Sequence, residues 1–443
     1  MKKALLLRVV YLSLGAVAMT WIGVLNGFPL AYTDTVTYLL SGMKLATPVD
    51  RPITYGLFIL VTSFGGRSLF SVLFFQSLVL VYLMELTFRA FSSVKQPAKW
   101  AGASAVLVAF LTGVSWTSSQ LIADVFVPAT ILSSVLLLCT KNLSKGQMAW
   151  VMFLFLMTVS SHIANMAITL TVVLCWIFIR LWNKEREGLL KKAGIVMVLL
   201  AGAMLVMSST IAKSKHVFLA QHMHDLGLLK IYLDEYCDEI DYAICPYRDS
   251  IPGDFIWDLE NSPMYKSGLG WKGSKTELNQ IIQGIIRTPR YWGRLVGASF
   301  YWTAEQLVTF KGGNGNHSFA DDHRIYETLD QYFPGQSDRF RNSRQNQDRL
   351  LSLLPFWTVI HSITFGISLL LIAIFLVFPG QWDIKDRIEI RPVYLILFAI
   401  LMNAAICVTI ITVIDRFGCR VTWLFSFLAI FLVANWWTTR QPT

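Results

Sequence analysis

The stretch SLFSVLFFQSLVLVYLMELTF, residues 68–88, carries a single charged side chain, Glu85, and is bracketed by Arg67 and Arg89. A mostly apolar run of roughly 20 residues is what an α-helix needs to cross about 30 Å of hydrocarbon. It must be a helix, because lipid offers the backbone no hydrogen-bond partner. The same template fits residues 5–26, 100–118, 122–140, 147–162, 165–182, 193–211, 351–378, 392–414 and 421–438. Over the whole 443 residues, 54% are hydrophobic, 15% are charged and the mean hydropathy is +0.52, too apolar for a water-soluble core and surface. The sequence therefore predicts an all-α polytopic membrane protein with about ten transmembrane helices.

The formal net charge of +10 invites a nucleic-acid reading, which its distribution argues against. The ends and loops expected in the cytoplasm hold 17 basic residues: Lys2, Lys3, Arg8, Arg89, Lys95, Lys99, Lys141, Lys145, Arg180, Lys184, Arg186, Lys191, Lys192, Lys385, Arg387, Arg391 and Arg440. The short segments on the opposite side hold 5, namely Lys44, Arg51, Arg67, Arg416 and Arg420, while residues 212–350 hold 16 against 18 acids. This is the positive-inside bias, not a polyanion-binding surface. It implies a bacterial inner (plasma) membrane protein whose site faces the periplasm or exterior, with membrane lipids as neighbours and no nucleic-acid partner.

Met1-Lys2-Lys3 followed by an apolar run, with Ala16-Val17-Ala18 beyond it, also fits a cleaved secretory signal. Arg8 interrupts that run and favours a retained span. Cys139, Cys175 and Cys407 fall inside expected spans as small core residues. Cys237 and Cys245 lie outside them, where an oxidising compartment permits a disulfide without requiring one.

Three parts follow: an N-terminal transmembrane module, 1–211, with a first outer loop at 27–67; a mostly helical extracytoplasmic region, 212–350; and C-terminal transmembrane helices, 351–443. In the first loop Tyr32, Val36, Leu39, Leu40 and Met43 recur at helical spacing until Thr47-Pro48, which predicts a short amphipathic helix on the membrane face. A second short helix is expected to open at Arg51-Pro52. Residues 216–236, 275–287 and 290–309 read as helices, and 311–349 as loop with short helices. No inverted repeat is visible, because the long loop has no counterpart elsewhere.

Ionisable groups at span ends are functional candidates, and Asp34, Arg51, Asp124, His162, Asp415, Arg416 and Arg420 all fall on one expected side. Asp34 and Tyr38 share a helical face; Asp34 is either a general base or the cap of the helix it precedes. Arg51, ahead of Pro52 and Tyr55, either clamps a phosphate or anchors at the interface. Arg416 and Arg420, four apart, suit one anion, unless Asp415 simply neutralises Arg416. Asp124 opens the span at 122–140 as a site residue or an N-terminal acid. His162 and Asn165 sit at the hairpin apex Ser160–Asn165, as phosphate donors or as structural groups. His222-Met223-His224-Asp225 lacks metal spacing, nucleotide-binding glycine motifs are absent, and Gly312-Gly313-Asn314-Gly315-Asn316 reads as a flexible turn.

This constellation resembles the GT-C class of integral-membrane glycosyltransferases, which use polyprenyl- or dolichyl-phosphate sugars. The likeness rests on the D-x-x-x-Y pattern of Asp34 and Tyr38, Arg51-Pro52-x-x-Tyr55, Asp124, the hairpin at His162, the large late outer region, and Asp415-Arg416-Phe417 with Arg420 and Trp423. It implies an inverting transfer of a sugar from a polyprenyl-phosphate donor to a hydroxyl of an envelope glycan, lipid or protein. Asp34 is implied as base, Arg51, Arg416, Arg420 and His162 as phosphate ligands, and Tyr38, Tyr55, Asp124, Asn165 and Asp415 as further substrate-binding positions. Many relatives carry a second adjacent acid where this chain has Thr35, so the resemblance implies no cofactor and gives no support to a divalent metal. Two alternatives stand beside it: a polyprenyl-diphosphate glycan polymerase or ligase, which usually lacks an acid at Asp34, and a lipid-linked substrate flippase or transporter. A transporter needs charge lining a mid-membrane path, whereas the expected spans offer little beyond Glu85.

Overall fold

The computed structural model describes residues 2–140, 142–378 and 389–440. Lys141, Lys385 and Arg387, counted above on the cytoplasmic side, lie outside the described residues. The described chain is helical throughout, without a strand; one isolated parallel bridge joins Leu30 to Gln120.

Among the described residues, six helices are long and apolar enough to cross a membrane: Leu69–Phe91, Ile163–Trp182, Leu189–Asp225, Leu351–Val377, Arg391–Ile410 and Asp415–Thr438. The other four expected spans correspond to helices that are shorter or more charged. Pro97–Leu111, Ala123–Cys139 and Lys145–Val159 are short and apolar, and Lys2–Met19 carries Lys2, Lys3 and Arg8. Every residue of Phe126–Cys139 is buried, as a helix that is apolar all round must be, so this element is the axis of the bundle. Glu85 is fully buried yet matched: Arg8 Nη2 lies 2.8 Å from one of its oxygens and Arg89 Nη2 2.7 Å from the other. A buried carboxylate without such partners would cost several kcal/mol (~).

Two short helices, Thr35–Met43 and Thr54–Thr62, form the first-loop hairpin. The second opens two residues beyond Pro52 instead of at Arg51-Pro52. The pair cross so closely at Gly42 and Gly56 that a Cβ on either would collide with the other's backbone. Small residues there let the backbones touch, and Tyr38 and Tyr55 meet edge to face at 5.0 Å.

The long middle region is not one unit. Leu189–Asp225 is a single continuous helix of 37 residues, running through the expected boundary at 212 because Ala212-Lys213-Ser214-Lys215 contains no breaker. Gly227, at φ +67°, turns the chain into Leu228–Tyr236. Residues from Val217 to Tyr291 then build a separate apolar core, and Cys237 and Cys245 are disulfide-bonded with Cα atoms 5.6 Å apart. In contrast, Ile325, Tyr326, Leu329, Phe333 and Phe340 belong to the main bundle core, packed over the first-loop hairpin.

Candidate active site

The helix Thr35–Met43 begins at Asp34, but the Asp34 side chain makes no capping hydrogen bond. Its carboxylate lies instead 3.0 Å from Arg51 Nη1 and 3.6 Å from Arg416 Nη1, with 26% of the side chain exposed. The hairpin places Arg51 there: the guanidinium rests over the Tyr38 ring at 5.2 Å and also pairs with Asp50. Tyr38 is buried beneath it, and Tyr55, fully buried, donates its hydroxyl to Gln76 Oε1 at 2.8 Å. Tyr38 and Tyr55 thus form the floor that supports Arg51.

Arg416 comes from the far end of the chain, in the first turn of Asp415–Arg440. Its guanidinium stacks over Tyr32 at 4.3 Å and its Nε lies 3.8 Å from Asp124 Oδ2. Neither Nε nor Nη1 of Arg416 completes a hydrogen bond. Asp415 does not neutralise Arg416; its Oδ1 accepts the Lys311 backbone N–H at 2.9 Å. Arg416 and Arg420 share a face, as their spacing predicts, and both approach the Asp124 carboxylate. Arg420 is 0% exposed and is consumed within the protein, donating to Asp124 Oδ1 and, at 2.9 Å, to Asn403 Oδ1. Asp124 is accordingly a buried counter-ion rather than a helix cap.

At the neighbouring apex, His162 Nδ1 accepts the Ala164 N–H at 3.2 Å and caps Ile163–Trp182, which assigns the proton of the neutral ring to Nε2. The ring is half-buried at the apex. Asn165 is fully buried and donates to the Thr158 carbonyl at 2.9 Å, tying the hairpin together.

No family model, curated protein or solved structure matches this chain. The site must therefore be read from its own chemistry.

Three carboxylates, Asp34, Asp50 and Asp124, stand against three guanidinium groups, Arg51, Arg416 and Arg420. The balance lets the cluster exist without a ligand, and only Asp34, Arg51 and Arg416 face open space or lack full hydrogen bonding. Sequence reading missed Tyr32, Asp50, Asn403 and Cys407. Asn403 carried a signal, being an amide in the middle of an apolar span; Tyr32 and Asp50 gave none beyond lying next to the site in sequence.

An apolar cavity of about 720 Å³ runs along the bundle between Lys2–Met19, Thr54–Thr62, Leu69–Phe91 and Lys145–Val159. Thr54, three residues after Arg51, lines it, as do Leu57, Phe58 and Phe153, while Arg8 and Tyr82 lie at residues expected near the cytoplasmic end. Among the described residues, no group of three His, Cys, Asp or Glu side chains could hold a metal ion.

Proposed function

We propose that this chain is an inverting membrane glycosyltransferase that moves a sugar from a polyprenyl-phosphate donor to a hydroxyl of an envelope glycan, lipid or protein. The observation that carries the reading is the Asp34 carboxylate held between Arg51 at 3.0 Å and Arg416 at 3.6 Å, groups drawn from both ends of the chain. All ten apolar helices cross the inner membrane in this reading, and the site opens on the extracytoplasmic face, as the basic-residue bias supports.

The donor phosphate docks on Arg51 and Arg416 and takes over their charge, which releases Asp34 from its resting ion pairs. The acceptor hydroxyl oxygen then attacks the anomeric carbon while the bond from that carbon to the phosphate oxygen breaks. The hydroxyl proton passes to Asp34, and the lipid monophosphate leaves with its charge held by the two guanidinium groups. An in-line displacement needs the base on one face of the sugar and the stabilised phosphate charge on the other, so in this reading the sugar enters between Asp34 and the two guanidinium groups as their ion pairs part. The apolar cavity beside Thr54 suits the isoprenoid tail. A phosphate needs no metal here, since the cations are already supplied by side chains.

Asp34→Asn keeps the shape and removes the base. With expression in the membrane unchanged, it is expected to lower transfer by at least a hundredfold, the scale of a lost general base. Mass spectrometry of cell-envelope glycans and lipids, comparing this variant with a deletion strain, reads the result as loss of one sugar increment. A variant that restores the increment to wild-type levels removes the enzyme reading.

A further inference from the structure

A second, smaller recess lies behind Arg416, lined by Trp116, Thr117, Gln120, Lys311, Gly312, Gly313, Asn314, Arg416 and Cys419. Its free volume is about 10 Å³, the room of one water-sized atom. The polar groups around it divide sharply. Gln120 Nε2 donates to Asn316 Oδ1 at 2.7 Å, Thr117 Oγ1 is placed on Cys419 Sγ at 3.7 Å, and Cys419 Sγ on the Gly113 carbonyl at 3.3 Å. Trp116 Nε1, on a side chain 1% exposed, has no hydrogen-bond partner; Arg416 Nε and Nη1 complete no hydrogen bond but lie 3.8 Å from Asp124 and 3.6 Å from Asp34. A buried donor without a partner costs roughly 1–3 kcal/mol, so the indole N–H on this wall favours an acceptor.

The loop that closes the recess is a turn packed closely on the site. Gly312 lies against the pyrrole edge of Trp116 and Gly315 against the Tyr32 ring, each so closely that a Cβ would clash. Tyr32 in turn carries Arg416. The Lys311 backbone N–H is held by Asp415 at 2.9 Å, while the Lys311 residue itself is exposed at the rim.

We propose that this recess, formed by Trp116, Arg416 and the Lys311–Asn314 loop, receives one anionic oxygen of a phosphate, with Lys311 closing over the rest of the group. Lys311 adds a cation at the rim, beside the Asp415 carboxylate that holds its backbone N–H. The inference deepens the reading above and rests on it for the identity of the phosphate as a lipid headgroup; the chemistry of the recess itself is shared with free phosphate.

The test is equilibrium binding to the full-length protein in nanodiscs, using a short-chain isoprenyl monophosphate, the matching isoprenol and inorganic phosphate. The variants are Trp116→Phe, which keeps an aromatic side chain and removes the N–H along with the pyrrole edge, and Lys311→Ala, with thermal unfolding confirming that both remain folded. Each is expected to weaken isoprenyl monophosphate binding about tenfold, and to leave isoprenol unchanged. If wild type binds inorganic phosphate alone, and both variants weaken it, the recess stands and the lipid donor falls. Variants that bind isoprenyl monophosphate like wild type, or that lose isoprenol equally, overturn the recess and leave the donor reading intact. Wild type binding neither phosphate overturns both.

Discussion

Asp124 and Arg416 separate folding from chemistry at the scale of single residues. Asp124 is buried against Arg420 and faces Arg416, so Asp124→Ala leaves Arg420 without its counter-ion and Arg416 with Asp34 alone. Removing one partner of a buried pair costs roughly 3–5 kcal/mol, and the variant is expected to lose thermal stability in detergent before any question of activity arises. Arg416→Ala behaves differently, because its Nε and Nη1 are not fully hydrogen-bonded in the resting protein. It is expected to reduce donor use far more than melting temperature. Equal losses in both assays would make Arg416 a structural pair like Arg420. The sequence placed both arginines in one plane through topology alone, yet gave no means to distinguish them. That difference is decided by Asn403 and Cys407 on the neighbouring helix, which receive Arg420 and not Arg416.

Among the elements, the first-loop hairpin positions the site. Its helices were legible from the spacing of Tyr32, Val36, Leu39, Leu40 and Met43, and the first of them, Thr35–Met43, falls where that pattern placed it. What could not be read is how closely the two helices approach, because a glycine inside a short apolar helix has several possible causes. Gly42→Ala puts a methyl against the Gly56 backbone; overpacking of this kind costs roughly 1–3 kcal/mol. The larger consequence is geometric, since spreading the hairpin moves Arg51 relative to Asp34. Membrane expression should survive while transfer falls at least tenfold, and the two are measured on the same preparation. Transfer at the wild-type level would show that the crossing at Gly42 and Gly56 does not set the position of Arg51. The Gly312–Asn316 stretch is the opposite case, where composition suggested freedom and the glycines pack against Trp116 and Tyr32 too closely to admit a Cβ.

The whole molecule combines a bundle around the buried helix Phe126–Cys139, a separately cored unit reached by the long helix Leu189–Asp225, and a returning segment that packs on the first loop. In the proposed orientation Lys266 and Asn183, both exposed, lie on opposite sides of the membrane. The cysteine introduced by Lys266→Cys is expected to react with a membrane-impermeant maleimide in intact cells, and that introduced by Asn183→Cys only after lysis. The reverse pattern places the site in the cytoplasm and ends the proposal of an extracytoplasmic lipid-linked donor.

Helical class and the run of apolar segments are fixed by sequence, because hydrocarbon leaves a backbone no other way to satisfy its hydrogen bonds and the length of each run is local information. The charged residues at the segment ends are equally local, and so is their bias to one side. Partnership is not. Whether Asp34 caps a helix or meets Arg416, whether Arg420 faces a ligand or a buried carboxylate, and whether residues 316–350 join the bundle depend on contacts between segments hundreds of residues apart. Tertiary packing decides these, since the energy of a charge is set by what surrounds it and not by its neighbours along the chain.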